Sequence, residues 1–223
     1  MPLEASIPTI CRKCGHKGNK QVPRSINTSE EPSLKEAVRS GSLFTWECPQ
    51  CGTVNMVQSD LLYHDPENRL MIWLLPEAVN LEAETKILSL WSSIQADEGM
   101  QDYMFRRVSD AGSLIEKVRI AEAGMEDTAI EMCKYVTAME LSQQEKNPQL
   151  SAALSSIALR FHSMDGPDNL MKFVFSLDGA MHSVDVGFNV YEDCRAILGR
   201  NPGVLPSGPF PVVDAEWVAK TFR

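Results

Sequence analysis

The 223-residue sequence has no apolar run near the length needed to span a bilayer, and its start, Met-Pro-Leu-Glu-Ala-Ser, lacks the basic opening and long apolar stretch of a signal peptide. These absences lead to the expectation of a cytoplasmic protein with no membrane partner. A Gly-rich phosphate loop, a nucleophile elbow and an HExxH motif are also missing, which removes familiar routes to nucleotide, acyl-transfer and metalloprotease chemistry without excluding an enzyme of another kind. Aromatic residues make up only 7% of the chain, and between Cys11 and Cys51 they are limited to Phe44 and Trp46, so a stacking platform for single-stranded nucleic acid is thin. Positive charge is scarce too. A net charge of −9 opposes approach to phosphate backbones and anionic lipid.

What the chain does have is enough apolar content, 43%, for a large core, and six cysteines, four of them in two CxxC pairs. Cys11-Arg12-Lys13-Cys14 and Cys48-Pro49-Gln50-Cys51 are each followed by glycine. Two i, i+3 thiolate pairs a few tens of residues apart can converge on one tetrahedral ion, and soft thiolates with a closed shell suit a single structural Zn2+. A dithiol redox pair would open a helix in a thioredoxin-like unit, which neither pair does; an iron–sulfur cluster fits knuckle turns with a following glycine less well than zinc. Binding free energy of about 10–16 kcal/mol at such a site exceeds the roughly 3 kcal/mol needed to close the loop between the pairs, so an N-terminal lobe without metal is expected to be unfolded or molten. Cys133 and Cys194 lie on apolar helical faces and read as core.

Two further clusters compete for a functional reading. Arg12, Lys13, Lys17, Lys20 and Arg24 form a basic stretch with no acid among them, a candidate nucleic-acid-binding patch or simply a solvated surface. His64, Asp65 and Glu67 are the one grouping suggestive of acid–base chemistry; the simpler account is that Asp65-Pro66 builds a turn and His64 ends a strand. His16 sits beside the first knuckle as a spare ligand, and His162 and His182 fall on strand positions from which they could face one another.

Hydrophobic period and punctuation outline the architecture. A strand over Ser6–Ile10 enters the first knuckle, and a short helix from Pro32 to Gly41 lies between the cysteine pairs. A strand over Leu43–Glu47 enters the second knuckle. An apolar run from Val54 to Tyr63 then forms a hairpin with Leu70–Leu75 across an Asp65–Asn68 turn, the return strand apolar on both faces and therefore covered on both. Helices follow over Leu81–Gln95, from an Asp110 cap to Gly124, and through Ile130, Cys133 and Val136. The polar run Ser142–Asn147 before Pro148 reads as a linker. Beyond it the period becomes two, giving strands over Ile157–Phe161, Leu170–Phe175 and Met181–Val186, then a helix ending at Gly199 and a last helix capped by Asp214.

The first three-fifths of the chain resembles the CpXC proteins. The similarity rests on Cys11-Arg12-Lys13-Cys14, Pro32-Ser33-Leu34-Lys35-Glu36, Ser40-Gly41, Leu43-Phe44, Cys48-Pro49-Gln50-Cys51-Gly52, Leu62-Tyr63-His64-Asp65, Met71-Ile72-Trp73, Leu114-Ile115-Glu116-Lys117 and the Gly124–Lys134 segment. Arg12 stands where the family motif has proline, which alters the stiffness of the turn and removes no ligand. The resemblance implies a metal-binding bacterial or archaeal protein of a family without an established activity.

The expected fold is α+β: a zinc-ribbon-like N-terminal lobe with a β-hairpin and helices, residues 1–141, then a smaller antiparallel β-sheet lobe with two helices, residues 149–223. The expected function is a zinc-stabilised, non-catalytic binding or adaptor protein whose partner is another protein. The alternatives are a nucleic-acid-binding zinc ribbon and an enzyme using His64, Asp65 and Glu67.

Overall fold

A computed structural model describes residues 4–76 and 81–222. The residues at the very start that bear on targeting, Met1–Leu3, and the last residue, Arg223, lie outside the described residues. The fold is α+β, as the sequence patterning implies.

The N-terminal part is built from two small hairpins and a mixed sheet. Strands β1 (Glu4–Ile10) and β2 (Lys17–Pro23) pair antiparallel across the first knuckle, with Ile10 opposite Lys17. After β3 (Ser25–Asn27) comes α1 (Pro32–Arg39), with proline in its first turn where the missing N–H costs nothing. It ends at Ser40, and Gly41 takes a left-handed φ of 80°. A 3₁₀ turn over Ser42–Phe44 replaces the beginning of the expected Leu43–Glu47 strand, leaving β4 (Thr45–Glu47) to pair with β5 (Val54–Met56) across the second knuckle.

The Val54–Tyr63 run is therefore not one strand. Its first part belongs to the second knuckle hairpin, and only β6 (Leu61–Asp65) forms the expected hairpin with β7 (Leu70–Leu74). The physical reason is that Val54–Met56 has a nearer partner, three residues long, closed by the cysteine turn. β3 adds parallel to β6, and β8 (Met104–Val108) parallel to β7, giving the order β3-β6-β7-β8. The crossover between β7 and β8 contains α2 (Leu81–Gln95), whose Ile87, Leu90, Trp91 and Ile94 pack on Met71, Trp73 and Phe105. Leu70, Ile72 and Leu74 are buried as well, so β7 is covered on both faces.

Helix α3 (Ala111–Glu122) begins at Asp110, whose carboxylate accepts from the Ser113 amide at 2.9 Å, and the following loop passes Gly124 at φ 66°. The remainder is α4 (Asp127–Gln144), α5 (Pro148–Ser155), the meander β9 (Arg160–Asp165), β10 (Leu170–Leu177) and β11 (Ala180–Gly187), then α6 (Phe188–Arg200) and α7 (Ala215–Thr221). β10 is central and antiparallel to both neighbours. Phe161, Met171, Phe173 and Phe175 line one core with Cys133, Tyr191, Cys194 and Leu198. Helix α6 runs on through Gly199 to Arg200 because Asn201, whose amide reaches the Leu198 carbonyl, is the residue that closes it.

Two compact units emerge: residues 1–118 with 207–211, and residues 119–206 with 212–223. The Ser142–Asn147 stretch lies inside the second, where it joins two helices that hydrogen-bond to each other. Ser151 Oγ donates to the Ser142 carbonyl at 2.8 Å, and Asn147 Oδ1 caps α5 by accepting from the Gln149 amide at 2.9 Å. An Asn-Pro pair that reads as a linker is here the N-cap and first turn of a helix.

Candidate metal centre

The two knuckles are built alike. In the first, the Cys11 amide donates to the His16 carbonyl at 2.9 Å and the Gly15 amide to the Cys11 carbonyl at 2.9 Å. In the second, the Cys48 amide donates to Thr53 at 2.9 Å and the Gly52 amide to Cys48 at 2.8 Å. Both turns need a left-handed residue, and Gly15 and Gly52 supply it at φ 73° and 66°. A β-strand cannot make this reversal around two side chains in three residues without such a position.

The result is one cluster. The Sγ atoms of Cys11, Cys14, Cys48 and Cys51 lie within 4.8 Å of one another, with Cys11 to Cys51 at 3.5 Å and Cys14 to Cys48 at 3.6 Å. A metal–sulfur distance of about 2.3 Å sets tetrahedral edges of about 3.8 Å, which this spacing matches. All six cysteines are free thiols. Cys11 and Cys48 are buried, Cys51 is half-buried and Cys14 exposed, so the cluster sits at the surface with its inner side sealed.

The electrostatics favour a cation. The Cys14 amide holds the Cys11 thiol down to about 6, against burial, with the Lys13 amide assisting. The Thr53 hydroxyl and amide lower Cys51 likewise. Cys14 has the His16 amide on its side, yet burial and the neighbouring sulfurs of Cys51, Cys48 and Cys11 push it up to about 12. Backbone dipoles thus stabilise negative sulfur at Cys11 and Cys51, while its neighbours disfavour a charge on Cys14. A divalent cation among them reverses that repulsion. Four sulfurs in this arrangement can hold a metal ion, and they surround it with protein donors alone.

One supporting residue was not evident from the cysteine spacing. Asn55 is 5% exposed; its Oδ1 accepts from the Arg12 amide at 2.9 Å and its Nδ2 donates to the Thr53 carbonyl at 2.8 Å. It ties the tip of the first knuckle to the end of the second. The signal was present as a lone amide in a three-residue strand of otherwise apolar character. Trp46 packs against Gly18, where an added Cβ would lie 2.5 Å from the indole, and it stacks on His16 at 6.3 Å between ring centroids. His16 therefore has a packing role beside the knuckle.

The basic residues do not form a single face. Arg12, Lys13, Lys17 and Arg24 are exposed and Lys20 half-buried; Lys17 shares a side of the β1–β2 hairpin with Ile10, whereas Lys20 shares the opposite side with Ile7.

His64, Asp65 and Glu67 also diverge. Asp65 is fully buried, accepting from Thr28 Oγ1 at 3.1 Å, Tyr63 OH at 3.4 Å and Asn68 Nδ2 at 2.8 Å, and facing Lys35 Nζ at 3.0 Å. Burial works against its charge, but Asn68 and the Lys35 ammonium hold its carboxyl below the usual range. Glu67 is exposed and shares Lys35 at 3.1 Å. His64 alternates to the other side of β6, with Nε2 3.2 Å from Tyr103 OH, and its partial burial lowers its basicity. Asp65 is the hub of a turn, saturated with donors. His162 and His182 are likewise apart: β10 separates their strands, and His182 stacks on Phe175 at 5.5 Å.

Residues 9–134, more than half of the chain, match the family described as CpXC protein. The chain belongs to that family, and the matched region contains the whole four-cysteine cluster. Comparison with curated proteins and with solved structures finds no match. Among the described residues, no helix is long and apolar enough to cross a membrane.

Proposed function

We propose that the chain is a cytoplasmic bacterial protein in which one structural Zn2+, bound by Cys11, Cys14, Cys48 and Cys51, organises a non-catalytic module that binds another protein. The observation that carries this reading is the four-sulfur cluster itself. With every ligand drawn from the chain, a tetrahedral zinc has no open position for water or substrate, and its contribution is architectural. Exposed apolar side chains flank the cluster: Ile10 and Val54 are each 61% exposed and Met56 is 58% exposed. Isolated exposed apolar residues are ordinary, but Val54 and Met56 share the outer side of a three-residue strand beside the metal knuckle, a position suited to contact with a partner.

The enzyme reading has less support because the carboxylate that would do the chemistry, Asp65, is enclosed by its own donors. Nucleic-acid binding has less support because Lys17 and Lys20 lie on opposite sides of the β1–β2 hairpin and Trp46 stacks on His16. The test is affinity capture with the zinc-loaded chain, with and without nuclease, run beside a Val54→Glu/Met56→Glu variant. A nuclease-resistant protein that the variant fails to capture supports the reading. Recovery of nuclease-sensitive material alone, lost on neutralising Lys13 and Lys17, would transfer the weight to nucleic acid.

A further inference from the structure

Residues 207–211 group with the first compact unit although the chain on both sides of them groups with the second. The excursion carries one large side chain. Phe210 is 1% exposed, and its ring meets Trp73 at 5.6 Å, Phe105 at 5.6 Å and Trp91 at 6.3 Å, in each case edge to face. These are favourable aromatic geometries in a pocket built from three separate elements, β7, β8 and α2.

The backbone of the excursion lies against an open sheet edge. β8 is the outermost strand of its sheet, and the amide of Met104 and the carbonyl of Val108 are spent on the β7 side. Arg107, one residue out of phase, turns its amide to the outer side, where it donates to the Pro211 carbonyl at 3.3 Å. This is the beginning of strand addition, the mode by which extended peptides dock on sheet edges with a side chain in an adjoining pocket. Pro209 and Pro211, having no N–H, cannot donate to the β8 edge themselves.

The segment has an unusual local conformation. Phe210 has φ 47° although the following proline favours an extended residue before it, and Gly208 stands at φ 93°. Such conformations persist where the surroundings dictate them, and they concentrate at clamps and switches. Trp73, Trp91 and Phe105 fall within the matched family region 9–134, and Phe210 falls outside it.

From this we propose that the aromatic pocket beside the β8 edge is a peptide-binding site, closed in this chain by its own Ser207–Pro211 segment, whose ligand is an extended segment of a partner protein presenting an aromatic residue followed by proline. The segment in place defines the chemistry of its replacement: one ring for the pocket and one carbonyl for the Arg107 amide. Tethering gives the resident segment a high effective concentration, so a partner competes only when it adds contacts of its own or when the segment is drawn out.

The experiment uses the full zinc-loaded chain and a fluorescent synthetic peptide of its residues 205–213. Two opened variants, Phe210→Ala and replacement of residues 207–211 by a Gly-Ser linker of equal length, are compared with the unaltered chain. The expected result is saturable binding to both variants, at least about tenfold weaker binding to the unaltered chain, and loss of binding when the peptide phenylalanine is alanine or when Trp73→Ala is added to the opened variant. Absence of binding to a folded opened variant, or equal binding to the unaltered chain, would overturn the proposal. So would failure of both variants to fold by circular dichroism, since the segment would then be core and not a plug. The proposal deepens the protein-binding reading but is separable from it: loss of capture by the Val54→Glu/Met56→Glu variant would stand whether or not the peptide binds.

Discussion

The two knuckle hairpins bury little besides Ala5, Thr9, Val22, Pro23, Asn55 and the sulfurs of Cys11 and Cys48, whereas the β9–β11 meander and its helices enclose Phe161, Met171, Phe173, Phe175, Tyr191 and Leu198 in one core. Each hairpin is two-stranded, a form that is marginal in water by itself. The meander has a third strand and an apolar face covered by helices. In the first region order depends on a localised set of four donors; in the second it is distributed over many dispersion and transfer contributions. Regions of the first kind respond all or none to a single chemical change, and regions of the second kind by increments.

Metal removal should separate the two most sharply. With a strong chelator, or with Cys48→Ser, amide protection over residues 4–56 is expected to collapse while β9–β11 keep theirs, reflecting about 10–16 kcal/mol of binding free energy at a thiolate site. Hydrogen exchange read segment by segment checks this, and equal loss in both regions would break the contrast. Phe173→Ala tests the other side. Truncating this fully buried ring should cost about 3–5 kcal/mol in chemical denaturation and leave metal stoichiometry unchanged.

Asp65 lies between these extremes, a fully buried polar hub at the end of β6. Asp65→Asn should cost about 3 kcal/mol at neutral pH by leaving Lys35 without its buried partner. Because its folded carboxyl titrates below the ordinary 3.8, the contribution is complete above that value and declines as pH falls through the lower folded one. The difference between the two proteins should therefore shrink in strong acid, while their shared loss of thiolate binding cancels. The smallest expected effect sharpens the view of the metal region: Asn55→Ala leaves all four ligands but removes the acceptor for the Arg12 amide, and should weaken zinc about 10–100-fold in competition with a chelating dye.

The four-cysteine cluster was legible because its turns are local: an i, i+3 pair with a following glycine fixes where two sulfurs point, whatever surrounds them. Helices with strong periodicity, such as Leu81–Gln95, and the alternating strands of the meander were legible for the same reason. β2 was not, since Lys17–Pro23 is polar and pairs with β1 only because the knuckle brings it back. β3 and β8 escaped notice because parallel partners lie far away in the chain and leave no turn signature. The helix starting at Pro148 was hidden by a polar cap that resembles a linker.

The sequence alone thus determined that two cysteine turns exist and that they suit one thiophilic ion, since bond geometry and glycine stereochemistry act within six residues. Tertiary structure alone decided which groups meet across long separations. It enclosed Asp65 in donors, turned His64 to the other side of β6, set Asn55 between the knuckles and seated Phe210 among three aromatic rings. Those outcomes depend on register and packing between segments tens of residues apart, where the free energy is shared by many contacts and is not carried by any short pattern.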